Sequence, residues 1–375
     1  MVKRSNIISV LCLGLIALTL VQCNDKPNGG DEVKFDKAAM LKNIGENIII
    51  PAYADLKVSV DSVEFYNNLF IANPSLTTLS NLQKAFKKAY EDFQYVSVFE
   101  FGPAETQLFR ANCNTFPCDS AEINTKIAAA NFDFSTVADL DAKGFPALDF
   151  LLYGKLNNND STLAKFTSGA NTAKRKDYLT ALISDLKTKT HAVNTGWSAS
   201  GGNYIATFIS STGTDVGSSL GLLVNQLNYD FEMLKNYKLG IPLGKKSLGT
   251  VLPEKVEAYY SQISSSLLVK HIKGIENVYL GKSKQGVDGL GLDDYLATLK
   301  SSYNGGLLSD AIKTQLTAAI SKLQLVPDPL SETVISNASV ADAAYIELQK
   351  QVVLFKTDMP SALGILITYQ DNDGD

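Results

Sequence analysis

The chain of 375 residues is 45% hydrophobic and 19% charged, which suits a fully folded globular protein with room for about two domains. Its formal net charge is -5 and its pI is near 5.3, with Lys and Arg scattered singly. It therefore lacks the basic stripe that a phosphate backbone demands, and nucleic acid is excluded as a partner.

The N-terminus reads as a targeting segment. Lys3 and Arg4 precede an apolar run from Ile7 to Val21 that is too short and wrongly flanked for a spanning helix. The run closes on Leu20-Val21-Gln22-Cys23, similar to a bacterial lipobox, in which the Cys becomes the lipid-bearing first residue of the mature protein; Gln22 replaces the usual small residue. Residues 1–22 are thus a signal peptide, Cys23 the lipidation site, and polar residues 23–33, with Pro27 and Gly29-Gly30, a tether. The other reading is ordinary secretion after cleavage nearby.

From Phe35 to about Ala72 the pattern is helical, with Met40, Ile44 and Ile48 spaced at four and Leu56, Val60 and Val63 continuing the series. Pro51 is expected to kink or split it. After Asn73-Pro74-Ser75, Leu79, Leu82, Phe86, Ala89, Phe93 and Val96 form the clearest amphipathic stripe, ended by Gly102-Pro103. Cys113 and Cys118 bracket a loop, and in an oxidising compartment they are expected to form a disulfide. A zinc pair is the alternative, although no His or second Cys pair lies close in sequence. Asp119 and Glu122 have capping-box spacing for a short helix through Ala130.

Gly144 and Pro146 open a helix that ends at Gly154, and Tyr178, Leu182, Leu186 and Val193 mark a long one ending near Gly196-Trp197. Ser198 to Asn203 is a Gly/Ser-rich connection. Beyond it, Val216, Leu220, Leu223, Leu227 and Phe231 predict a helix stopping at Leu239 to Gly244, and a helical pattern runs from Pro253 through Val256, Tyr260, Ile263 and Leu267 to Ile275. Further helices are expected over 292–300, 307–325 and 342–356. Strand signals are poor. The expected fold is all-α, with two tandem helical-bundle domains, 34–200 and 201–375, related by an internal pseudo-repeat.

That repeat rests on one stretch. In Gly144 to Lys155 (GFPALDFLLYGK) an acid, Asp149, stands inside an apolar run that closes on Tyr153-Gly154, where burying a carboxylate is costly unless it is paired or protonated. Asp149 to Lys155 aligns without a gap on Glu276 to Lys282. If the halves pack about a pseudo-twofold axis, Asp149 and Glu276 face one cleft as a pair that binds a hard cation or raises each other's pKa. Glu100, Glu232 and Glu257 are further donors. The chain has two histidines, neither in an HExxH motif. His191 is read as a helix-end residue, and His271, five residues before Glu276, as a partly exposed histidine within reach of the cleft. Asp371 to Asp375 has alternating oxygen donors but lacks the distal Glu of a calcium loop.

Taken together, the segments Asn43 to Asp55, Phe99 to Glu105, Gly144 to Gly154, Thr214 to Gly244, Val256 to Ser261 and Tyr369 to Asp375 resemble the imelysin-like proteins, exported bacterial helical proteins of two bundle domains. The resemblance implies a periplasm-facing or outer-membrane-anchored protein. One founding member was classed as an insulin-cleaving metallopeptidase, and others are linked to iron uptake. The family signature GxHxxE falls on Gly144 and Asp149, with Pro146 in place of the His, and proline offers no lone pair to a metal. The resemblance points to a non-catalytic lipoprotein of iron or related nutrient uptake, held to the membrane through Cys23. Iron, haem or an envelope uptake protein would be its partner, and a divalent metal or iron its cofactor. The rival readings are an imelysin-type metallopeptidase and a structural or adhesion lipoprotein.

Overall fold

A computed structural model describes residues 34–155 and 157–369. Cys23, the signal segment, the tether and the acidic tail from Asp371 lie outside the described residues.

The amphipathic stripes become a helical core. α1 (Lys37–Asn43) runs through a π-helical stretch, Ile44–Ile49, into α2 (Ile50–Ala72). Pro51 does not split the segment, because it stands in the first turn of α2, directly after the widened turn, where its missing N–H is absorbed. α3 (Leu76–Phe93) begins where Ser75 and Thr78 cap each other and buries the whole Leu79 to Phe93 stripe. α4 (Pro103–Thr106) and α5 (Phe109–Asn114) are short, and Asp119 caps α6 (Ser120–Ala129) through the N–H groups of Ala121 and Glu122. α7 (Gly144–Tyr153) is buried along its full length, with α8 (Asn159–Thr167) behind it. α9 (Thr172–Trp197) is the expected long helix, and α2 packs against both α3 and α9.

α10 (Tyr204–Ser210) lies beyond the Gly/Ser connection yet packs back on α1 and α9, with Phe208 stacked on Phe101 and edge-on to Trp197. α11 (Ser219–Glu232) continues through a second π-helical stretch, Met233–Gly240. α12 (Ser264–Tyr279) follows, then α13 (Leu292–Leu299) and a two-residue hairpin pairing β1 (Ser302–Tyr303) with β2 (Gly306–Leu307). α14 (Leu308–Leu323), α15 (Leu330–Ser336), α16 (Ala338–Val353), a third π-helical stretch Leu354–Asp358 and α17 (Met359–Leu363) complete the chain. One apolar cluster extends from Met40 to Ile365, and residues from Phe35 onward group as one compact unit. Among the described residues no helix is long and apolar enough to cross a membrane.

Two expectations are corrected. The pattern from Pro253 to Ile275 is not one helix: after a turn at Pro253–Lys255 the backbone is irregular, with positive φ at Ala258 and Gln262, and α12 starts only at Ser264. The N–H groups of Tyr260 and Ser261, which a helix would turn along its own axis, are instead taken by a side chain of α7. The Cys113–Cys118 disulfide is not formed, and both thiols are free. Cys113 is sealed in the core at the end of α5, whereas Cys118 lies across the next turn beside Tyr260, so the two sulfurs meet different surroundings.

Gly144 shows why α7 begins where it does. Its φ is +69°, and a Cβ there would lie 2.2 Å from the Cys113 carbonyl oxygen. Gly144→Ala is expected to lower the unfolding free energy by at least ~2 kcal/mol in urea melts, with an unchanged denaturant slope.

Candidate functional site

α7 carries Asp149 into the interior with only 1% of its surface exposed. Its two oxygens accept from the backbone N–H groups of Tyr260 at 2.8 Å and Ser261 at 2.9 Å, on the irregular loop before α12. Burial pushes the carboxyl up to about 7, against the pull of those donors and of the Ser261 hydroxyl. Pro146 and Asp149 line a hollow of about 230 Å³ shared with Cys118, Tyr259 and Tyr260. Tyr153 is a core residue, its hydroxyl donating to the Gln83 carbonyl and its ring 6.0 Å from that of Phe86.

Glu276 does not meet Asp149. It is held by Lys273 at 2.7 Å, one turn away on the same helix, so the expected pair of carboxylates in one cleft is replaced by a tether on one side and a surface ion pair on the other. Glu232 accepts from the Tyr369 hydroxyl at 3.0 Å and pairs with Lys356 at 3.0 Å. His191 lies against Asp61 at 2.7 Å.

His271 is the correction with most consequence. The expectation of a partly exposed histidine fails, since it is 1% exposed. Its Nε2 contacts the Asp230 carboxylate and lies 3.0 Å from the Ser97 hydroxyl, while its Nδ1 has no hydrogen-bond partner. Burial holds the imidazole below its ordinary pKa, and the Asp230 charge only partly offsets this. Burial also pulls the Asp230 carboxyl upward, but His271, Arg110 and Lys238 outweigh it and hold it down at about 2. Arg110 Nη2 is 3.5 Å from Asp230, donates to the Ser97 carbonyl at 2.6 Å, and its guanidinium sits 5.2 Å from the Tyr229 ring centroid.

These groups enclose a cavity of about 340 Å³. Its floor is buried Asp230, Lys238 and His271; its rim is half-buried Glu100, Arg110, Tyr229 and Tyr237. One Glu100 oxygen accepts from the Arg110 backbone N–H at 2.9 Å, and burial raises its carboxyl. Lys238 is fixed by Gln94 at 2.6 Å and by buried Glu257 at 3.0 Å, and Glu257 also accepts from Asn114 at 2.7 Å. A polar seam thus runs from α3 and α5 to α11 and the loop before α12.

Of the expected site residues the structure gathers only Glu100 and His271 here, with Glu257 behind Lys238. Asp230, Arg110, Tyr229 and Tyr237 were not anticipated. Asp230 did leave a signal: Leu220, Leu223, Leu227, Asp230 and Leu234 follow one another at helical spacing, so an acid occupies a core position, as Asp149 does. Arg110 left none, because its placement depends on the short helix α5.

The family model described as Imelysin matches residues 49–353. The chain is 21% identical over 298 residues to "Iron-regulated protein A" of Synechococcus elongatus, covering 78% of this chain and 76% of that one. Among solved structures, an iron-regulated protein A precursor from Parabacteroides distasonis superposes with a TM-score of 0.71 at 16% identity, covering 88% of this chain and 95% of that one. An imelysin-like protein from Psychrobacter arcticus gives 0.65 at 18% identity, covering 89% and 97%. These likenesses establish the all-α fold.

Asp149 makes folding depend on pH. The unfolded carboxyl releases its proton near 3.9, whereas the folded one keeps it to about 7, so in this interval the folded chain holds the extra proton and this group's contribution to stability falls as pH rises. Near about pH 5 the protonated carboxyl, like an amide, offers one carbonyl acceptor to the two N–H groups, so Asp149→Asn should lie close to the parent there and gain on it toward about pH 8, as the parent loses its proton-linked stability, in denaturant titrations.

Proposed function

The chain belongs to the imelysin family, and from that premise we propose that it is an exported, lipid-anchored binding protein of iron acquisition that works without peptide hydrolysis. The observation that carries this reading is the division of labour between the two buried acids. At the signature segment Pro146 supplies no ligand atom and both oxygens of Asp149 are engaged by backbone N–H groups, so these residues do not fit a metal there. The polar groups left facing open space belong to the neighbouring cavity, where Asp230 holds His271 and Arg110 beside Glu100.

The peptidase reading lacks a ligand set. A catalytic zinc takes three protein donors arranged around an open position. The two histidines of this chain are held by different carboxylates, His191 by Asp61 and His271 by Asp230. Export and anchoring rest on the targeting segment and on the lipobox-like run at Cys23, and they agree with the precursor wording carried by the Parabacteroides relative. Such a protein presents its cavity at an envelope surface, where an uptake partner or the membrane is its neighbour.

The tag-free mature chain, melted in the presence of ferrous, ferric, zinc and calcium ions or haem, should rise in Tm with at least one iron species. The rise should be lost in Glu100→Gln, a rim substitution that spares the buried floor. Insulin chains incubated with stoichiometric protein and zinc should remain intact. Cleavage that stops on chelation would overturn the binding reading, as would an unchanged Tm across the whole set.

A further inference from the structure

α2 has two opposite faces without charge. Tyr53, Leu56, Val60, Val63 and Phe70 are buried against the bundle, while Ala54, Val58, Ser62, Phe65, Leu69 and Ala72 recur at steps of four and three residues on the side turned to solvent. Three of the outer residues are large and open: Val58 is 67% exposed, Phe65 57% and Leu69 44%. A helix apolar on both sides belongs in an interior, so in the single chain one side of α2 lacks its cover. We propose that this outer face is a homodimer interface, in which a second copy of the chain lays its own α2 alongside, across a twofold axis parallel to the helix. The proposal goes beyond the reading of the cavity and does not depend on it.

The spacing asks for a helix as partner. The charges of α2 keep to its flanks: Asp61 and Glu64 lie toward α9, where His191 Nε2 reaches Asp61 at 2.7 Å and Lys187 Nζ reaches Glu64 at 2.5 Å, and Asp55 on the other flank is held by Lys284 at 3.1 Å. What remains between them, Val58, Ser62, Phe65, Leu69 and Ala72, steps by four, three, four and three, the period with which one helix follows another at a shallow crossing angle.

The same surface holds both halves of a contact. Beside the seam α2 and α3 enclose a groove of about 450 Å³, with Val58, Ser62 and Tyr66 on one wall and Ala85, Lys84 and Lys88 on the other. Phe65 stands next to it, its ring 5.2 Å from that of Tyr66. A knob and a hole on one surface satisfy each other when a copy is turned onto the first, which is the closed geometry of a twofold dimer.

Charge sets the direction of the pairing. Lys84 is exposed and makes no ion pair among the described residues, and with Lys88 it lines the groove opposite Ser62 and Tyr66. A twofold axis along α2 carries these lysines over Asp61 and Glu64 of the second copy, whereas an antiparallel pairing sets lysine over lysine. It also leaves both copies of α1 at one end, which suits two N-terminal anchors in one membrane. The area is sufficient: a helix of 23 residues is about 34 Å long, and a face that long and two helices wide covers roughly 700 Å², near the ~800 Å² per partner of a standard interface.

The test uses the tag-free mature chain carrying Cys23→Ser, so that no lipid or terminal thiol joins the copies. Sedimentation equilibrium at micromolar concentration should give twice the chain mass, and Phe65→Glu, which leaves the inner face of α2 intact, should weaken association by at least about thirtyfold with an unchanged circular dichroism spectrum. A second readout does not require that variant to fold. Ala54→Cys, Ser62→Cys and Ala72→Cys, spread along the seam, should each cross-link to their own counterpart under mild oxidation, and the parent with its native thiols should not. A parent chain that stays monomeric, or a dimer indifferent to Phe65→Glu and to the seam cysteines, would overturn the proposal. A monomer that floats with anionic vesicles and loses this with Phe65→Glu gives the face to a lipid surface instead, and cross-linking at Ser62→Cys alone overturns the parallel arrangement.

Discussion

The arrangement of the molecule depends on one buried carboxylate. Asp149 leaves α7 between two groups of helices and takes the N–H groups of Tyr260 and Ser261 from a loop that would otherwise wind into α12. A loop held at two successive amides has little freedom left, and the residues just before it inherit its path. Glu257 is thereby directed at Lys238, Lys238 at Gln94, and the wall between α3, α5 and α11 is closed by charges rather than by apolar packing. Such a wall is costly to build and costly to break, because removing any one member leaves another charged and dry.

That balance explains why the cavity beside it can stay polar. Asp230 is satisfied by Ser97, Arg110 and His271, and it stays ionised in the core because those partners outweigh the cost of burial. Arg110 is satisfied in turn by a backbone carbonyl and an aromatic face. Among the cavity-lining groups, buried His271 Nδ1 is left without a hydrogen-bond partner.

The helices were legible in the sequence because each carries its own period. The Leu79 to Phe93 stripe, the long helix ending at Trp197 and the glycine-bounded α7 are set by local spacing and capping, and they stand where that spacing put them. The loop before α12 was not legible, since Val256, Tyr260 and Ile263 keep helical spacing while their backbone is claimed by a side chain more than a hundred residues earlier. The same limit applies to the site. Asp149 announced itself as an acid in an apolar run, but whether it faced a ligand or a backbone could be decided only by what folded against it. The matching of Asp149 with Glu276 was a likeness of letters, and burial separates them: one is sealed behind a loop and the other is paired on a helix surface. The cysteines teach the same lesson, because closeness in sequence did not bring the two sulfurs into one environment.

The widened turn at Met233–Gly240 has a consequence for how the cavity came to have its lining. In a regular helix of 3.6 residues per turn, positions eight apart diverge by most of a quarter turn, while positions seven apart share a face. A π-helical turn takes up one extra residue, so Tyr229 and Tyr237, and likewise Asp230 and Lys238, align as if seven apart, and all four reach the same cavity. Deleting that residue would turn Tyr237 and Lys238 by most of a quarter turn away from Tyr229 and Asp230, so one residue in one turn decides which polar groups share the cavity.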